Sequence, residues 1–259
     1  MLIVKSLAEI GAINQRFYDA LWERAYLQRP ERFNTWPLIS SILPNAPARL
    51  EIGPGLRPRL PIEGTYFVDI SEPAVQCLNE HGGIAQLAEI GEADDHAGSD
   101  DTDAGLLQFP DQRFDLVSAF DVIEHVEDDR RLFPELSRVL KDSGTLLCSV
   151  PIHASLWTEF DDVVGHARRY EPSDLVSILT DNQLTVEKSA VFGMQPASPR
   201  LVEYGMSWLV RHRDWAMFWY NWVGMPLAMK FQKRLTLVEG LLDAPGVDEL
   251  LLVCRRRPR

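Results

Sequence analysis

Two continuous apolar runs separated by one helix-length interval constrain this chain more than any other feature. Phe114–Phe120 (FDLVSAF) is strand-like, Arg130–Leu140 puts Leu132, Leu136, Val139 and Leu140 on one helical face, and Gly144–Val150 (GTLLCSV) is an apolar strand closed by Pro151. Strands apolar on both faces need helices on both sides of a parallel sheet, so the expected class is α/β, doubly wound. Arg49–Ile52 and Thr65–Ile70 (TYFVDI) read as further strands, as do Leu184–Phe192 and Glu249–Cys254 (ELLLVC). Helical spacing marks Leu7–Tyr26, Arg32–Leu43, Pro73–His81 and Pro172–Leu179, the last opened by Glu171-Pro172-Ser173-Asp174. Glu92–Asp103 (EADDHAGSDDTD) is too acidic to be buried and reads as a loop. Ligands of such a sheet sit at the carboxyl ends of its strands.

Charge narrows the partner. The chain carries 26 Lys and Arg against 38 Asp and Glu, a net −12, and that field repels polyanions. Nucleic acid is therefore not expected as a partner, whereas a small or cationic ligand is easier to attract. Three cysteines without CxxC spacing argue against a disulfide framework or structural zinc, and no apolar leader run follows Met1, so a cytoplasmic location is expected.

The first strand ends in Leu50-Glu51-Ile52-Gly53-Pro54-Gly55, where paired glycines let backbone amides approach a ligand that a Cβ would keep away. A dinucleotide fingerprint needs glycine at position 58, where Pro58 stands, which disfavours a nicotinamide cofactor. Asp69, closing the second strand, can accept both hydrogen bonds of a ribose diol or can simply cap the next helix. Asp69 follows Glu51 by 18 positions, with Pro54, Pro58 and Pro61 between them, so the intervening helix is expected to be lost or reduced to a turn.

In order, LEIGPG, TYFVDIS, LLQFPDQRFDLVSAFDVIEHVED, LSRVLKDSGTLLCSVP and GHARRYEPSDL resemble the class I S-adenosylmethionine-dependent methyltransferases of the type-11, ubiquinone-biosynthesis-like kind, over Arg49 to Phe192. The resemblance implies a mostly parallel seven-stranded sheet with N-terminal helices (1–48), a cofactor-binding core (49–195), a Trp-rich helical insertion (196–247) and a last strand with a basic tail (248–259). It implies S-adenosyl-L-methionine as cofactor, held by Glu51, Gly53, Gly55, Asp69 and Ile70, with Asp103 and Ala104 beside the adenine and Phe120 and Asp121 at the methionine end. It also implies Trp157, Arg168, Arg169 and Tyr170 on the substrate side, where the two arginines could bind an anionic group or pair with Asp161, Asp162 or Glu171.

The implied reaction is methyl transfer to a small-molecule acceptor, an oxygen of a sugar, a lipid-linked compound or an aromatic; the alternative is a silent cofactor-binding partner subunit. An acceptor hydroxyl must lose its proton, and His125, His153 and His166 are the candidate bases. No metal is expected, although Asp121, Glu124 and His125 form a weak candidate set whose commoner role is to pin the local turn. Trp215–Met229 (WAMFWYNWVGMPLAM) is too short to span a bilayer and is interrupted by Pro226. It could roof the site or pack in the core. Alternatively, residues 208–230 could lie peripherally on the inner face of the membrane, or the segment could form a homodimer face.

Overall fold

The structure, a computed structural model, describes residues 18–19, 21–22, 25–88, 107–126, 128–193, 208, 213–244 and 246–258. Most of the helix expected over Leu7–Tyr26 lies outside these residues, but Tyr18, Asp19, Leu21 and Trp22 are helical. The acidic stretch Glu92–Asp103 also lies outside them.

Among the described residues eight strands form one sheet: β1 (Arg49–Ile52), β2 (Thr65–Asp69), β3 (Ile84–Leu87), β4 (Phe114–Ala119), β5 (Leu140–Pro151), β6 (Leu184–Val191), β7 (Val238–Glu239) and β8 (Glu249–Arg256). Their order is β3-β2-β1-β4-β5-β8-β6-β7. The first five strands in that order pair in parallel, while β8 runs antiparallel between β5 and β6. The expected count of seven is thus corrected to eight. The extra strand, β7, is two residues long and pairs with Lys188 and Ser189 of β6, too short to show a period in the sequence. Ser189 fixes it from the side, donating to the Gly240 carbonyl at 2.7 Å and accepting from the Leu242 amide at 2.7 Å. Edge strand β3 was also illegible, because Ile84 and Leu87 are exposed and its position is set by the Asn79 side chain bonding both backbone groups of Ala85.

Successive strand residues point to opposite faces, and both faces are buried here. Val117, Leu146, Leu250 and Leu252 join one core with Leu132, Phe133 and Leu136 of α3 (Asp129–Val139) and Leu175 and Leu179 of α5 (Pro172–Asp181). Leu116, Leu147, Leu251 and Val253 join the opposite core with Ile39 of α1 (Trp36–Ile42), Leu60, Phe120 and Phe192. The helix expected over Arg32–Leu43 therefore begins later, a separate 3-10 turn occupying Pro30–Arg32. Helix α2 (Glu72–Glu80) connects β2 to β3, and α4 (Glu159–Val164) follows β5. No helix stands between β1 and β2, as the prolines require. All three cysteines are free thiols.

Before the last strand, α6 (Arg213–Trp219), a π-helical turn (Tyr220–Gly224) and α7 (Met225–Lys230) form one helical run. Among the described residues no helix is long and apolar enough to cross a membrane.

Candidate active site

At the carboxyl end of β1 the chain turns through two left-handed glycines, Gly53 (φ +62°) and Gly55 (φ +52°). Conformation and space both demand glycine. A Cβ on Gly53 would lie 2.5 Å from Val122 Cγ2, and one on Gly55 would lie 2.1 Å from Cζ2 of the Trp22 indole. The neighbouring carboxylates fix this loop. Asp69 accepts from the Gly55 amide at 2.7 Å and the Ser71 amide at 2.8 Å, while Glu51 accepts from the Arg59 amide at 2.8 Å and the Leu60 amide at 2.9 Å. Burial pushes both carboxyls up, Glu51 to about 7 and Asp69 to about 6, against the pull of those amides. Ile70 donates its own amide to Asp69.

Across the strand end, Phe120 is buried and Asp121 takes a left-handed φ of +55°. Ser149 on β5 holds it there, accepting from the Asp121 amide at 2.8 Å and donating to Oδ1 at 2.6 Å. The next turn brings Glu124 and His125 inward. Gly165 is a carbonyl acceptor, so the 3.0 Å contact from His125 Nδ1 makes that nitrogen the donor and leaves Nε2 to accept from Tyr18 at 3.3 Å. Burial, reinforced by neighbouring His166, pushes His125 down to about 3, so it stays neutral. Burial and then the Asp121 charge raise Glu124 well above the carboxylate range.

His166 stands against His125, ring centroids 4.7 Å apart. Its Nδ1 donates to Asp161 Oδ1 at 2.8 Å, and its Nε2 lies 3.8 Å from Glu124 Oε1. Burial alone would raise the Asp161 carboxyl, but donors from His166, Arg169 and Thr158 overcome it and hold the group well below its usual range. Asp161 is the residue that sequence reasoning underrated: a Thr158 capping box at the start of α4 builds it into the fold and aims it at His166.

Of the three candidate bases, the structure brings His125 and His166 together. His153, in a left-handed conformation at φ +61°, faces Glu171 instead, at 3.7 Å. The candidate metal set also shifts: Glu124, His125 and His166 present ligand atoms within 4.8 Å of one another, with His166 in the place expected for Asp121. Arg168 pairs with Asp129 at 2.8 Å, and Arg169 grips both oxygens of Asp161 at 2.9 and 3.0 Å. Tyr170, also expected on the substrate side, is buried and donates to Asp129 at 2.9 Å; Trp157 remains partly exposed. Asp103 and Ala104 lie outside the described residues.

Two residues of the N-terminal helical segment escaped notice because its periodicity signalled packing only. Trp22 covers Gly55, Tyr18 stacks on Trp22 with ring centroids 6.0 Å apart, and the Tyr18 hydroxyl meets His125. An unbroken line of contacts thus runs from the glycine turn to the histidine pair. Arg59 was missed too. Its guanidinium is buried 3.8 Å from the Phe33 ring centroid, near Phe120 and Phe192.

Residues 54–148, from the glycine turn through β5, match the protein family described as Methyltransferase domain. Over this stretch the chain is similar to S-adenosylmethionine-dependent methyltransferases. A stretch of 77 residues is 36% identical to "Probable S-adenosylmethionine-dependent methyltransferase Rv3030" of Mycobacterium tuberculosis strain H37Rv, a match spanning 29% of this chain and 28% of that relative. A counterpart in M. tuberculosis strain CDC 1551 matches to the same extent. A SAM-dependent methyltransferase from Thermotoga maritima superposes on the fold with a TM-score of 0.57 at 13% identity, over 96% of this chain and 100% of that one. The [4+2]-cyclase SpnF does so with 0.52 at 13% identity, over 96% and 94%. One of these fold neighbours bears a cyclase's name, so likeness of fold alone does not fix the reaction.

Proposed function

We propose that this protein is a methyltransferase that moves a methyl group from S-adenosyl-L-methionine to an oxygen of a small-molecule acceptor, sugar or lipid-linked compounds included. The observation that carries the reading is the Asp161–His166 pair, joined through His125, Tyr18 and Trp22 to the glycine turn. The turn suits the cofactor in its acceptors: each Asp69 oxygen that accepts an amide has a second lone pair for a ribose hydroxyl. Gly53, Gly55 and Asp69 would hold it, with Glu51 fixing the loop beneath. When bound, it supplies a methyl group on a sulfonium whose departure leaves a neutral thioether.

The chain's own contribution is placement and proton handling. Collinear holding of nucleophile and methyl group supplies much of the rate in such a displacement. His166, with Nδ1–H committed to Asp161, presents Nε2 as an acceptor and takes the hydroxyl proton; Asp161 fixes the tautomer and stabilises the imidazolium that forms. His166→Gln should lower kcat on a hydroxyl acceptor about 10²–10⁴-fold, the usual worth of a general base, while S-adenosylhomocysteine affinity stays within a factor of about two. Production of S-adenosylhomocysteine from a panel of hydroxyl acceptors is the readout. Unchanged turnover in the variant would remove His166 from the chemistry, and binding without turnover on any acceptor would favour the silent partner subunit.

A further inference from the structure

The helical run from Arg213 to Lys230 is apolar on two opposite faces, and only one of them is used. Ala216, Met217, Met225 and Met229 are buried with Asn221; Met225 and Met229 pack on Phe33, and Met217 joins the cluster holding Leu21, Trp22 and Leu56. Asn221 bonds the body directly, donating to the Leu21 carbonyl at 2.9 Å and accepting from Arg57 at 3.0 Å. The buried positions 217, 221, 225 and 229 recur every four residues. Four residues overshoot a 3.6-residue turn by about 40°, so the wider π turn at Tyr220–Gly224 helps keep this stripe facing inward.

The outer face is largely open, although Tyr220 meets Arg57 and Trp222 packs on Tyr26. Trp215 is 64% exposed, Trp222 54% and Phe231 74%, with Phe218, Trp219, Tyr220, Val223 and Leu227 beside them. Eight of the thirteen exposed large hydrophobic residues among those described fall between 215 and 231, so this is one patch rather than scatter. A helix apolar all round is ordinarily covered all round. Its rings already form a layer, Phe218 packing against Trp215, Trp219 and Trp222 at centroid distances of 5.9–6.4 Å.

Charge identifies the cover. In a chain of net −12, residues 215–238 contain no Asp or Glu, and their three charges, Lys230, Lys233 and Arg234, are all exposed and cationic. A second copy would bring the same positive charges to the contact. Indoles beside lysines, on a helix too short to span, fit the headgroup level of an anionic bilayer. We infer that the outer face of residues 215–234 docks the protein on an anionic membrane surface, Trp215, Trp219, Trp222 and Phe231 entering the interface while Lys230, Lys233 and Arg234 meet lipid phosphates.

The test uses the full chain and vesicles of phosphatidylglycerol and phosphatidylcholine in equal parts, with pure phosphatidylcholine as the comparison. It needs no cofactor or acceptor, so its failure is distinguishable from failure of the proposed methyl transfer. The protein should cosediment with the anionic vesicles at ~50 mM salt and be released by ~0.5 M, where charges are screened beyond ~4 Å. Its tryptophan emission should shift blue and be quenched by brominated acyl chains. Replacing Lys230, Lys233 and Arg234 with Glu should weaken binding on the order of a hundredfold, each basic residue contributing roughly a factor of five. Trp215→Ser with Trp219→Ser and Trp222→Ser should abolish it, with far-UV circular dichroism confirming the fold. Protein that stays in the supernatant, binding indifferent to salt and lipid charge, or emission that brominated lipid leaves unquenched would each overturn the inference. So would a lipid-free dimer that the tryptophan substitutions convert to monomer, since a second copy would then be the cover.

Discussion

Asp69 holds two backbone donors before any ligand arrives, and burial keeps its carboxyl near pH 6. Ribose hydroxyls are best accepted by the ionised form, so S-adenosylhomocysteine affinity should fall by up to about tenfold per unit as pH drops below about 6 and level off above 7. Asp69→Asn should bind more weakly throughout and lose the bend; a variant with the parent's pH profile would make Asp69 a cap and nothing more. The tight turn at Gly53 and Gly55 was legible because glycine is the residue type that left-handed backbone favours. The arginines were not. Two adjacent guanidiniums in an acidic chain suggested an anionic substrate, but only the tertiary fold brings Asp129 to Arg168 and Asp161 to Arg169. Arg59 gave no signal in the sequence, since its burial against Phe33 depends on a segment that lies far from it in space until the chain folds.

At the scale of elements, apolar periodicity located the long strands and helices within a few residues, because burial on both faces imprints an unbroken apolar run. It missed β3 and β7, whose residues bury little and whose places are set by the side chains of Asn79 and Ser189. The missing helix between β1 and β2 was readable from Pro54, Pro58 and Pro61, and its absence lets Arg57 reach Tyr220 and Asn221 of the insertion. Asn221 therefore ties three elements that are distant in sequence. Asn221→Ala leaves the Leu21 carbonyl without its donor, a loss of about 1–3 kcal/mol. Thermal unfolding should show a melting temperature lower by roughly 2–4 °C per kcal/mol. An unchanged transition would mean that the insertion contributes no stability through this contact.

For the whole molecule, the buried carboxyls make stability depend on pH in an unusual direction. Glu51 and Asp69 ionise near 4 when unfolded and at about 7 and about 6 when folded, so the folded state binds more protons between those values. Their stabilisation is complete below pH 4 and is lost as pH rises through 6 and 7, on the order of a few kcal/mol. Asp161 and His125 work oppositely: the contribution of Asp161 is lost only below pH 4, and that of neutral His125 grows until pH passes about 6.5. The ligand-free protein should thus melt lower at pH 8 than at pH 6.5, above the range in which His125 contributes, and Glu51→Gln should flatten that slope. A melting temperature that rises over the same interval would contradict the burial of both groups.

The central claim is that the turn between β1 and β2 binds the methyl donor. Titration calorimetry of the intact chain with S-adenosylhomocysteine at pH 7.5 tests it most directly, because the demethylated product needs no acceptor. One molecule should bind per chain, and Gly53→Val, whose side chain would enter the space of Val122, should abolish the heat while far-UV circular dichroism reports a folded protein. No binding to the parent chain at millimolar concentration, or the same affinity in both proteins, would contradict the claim.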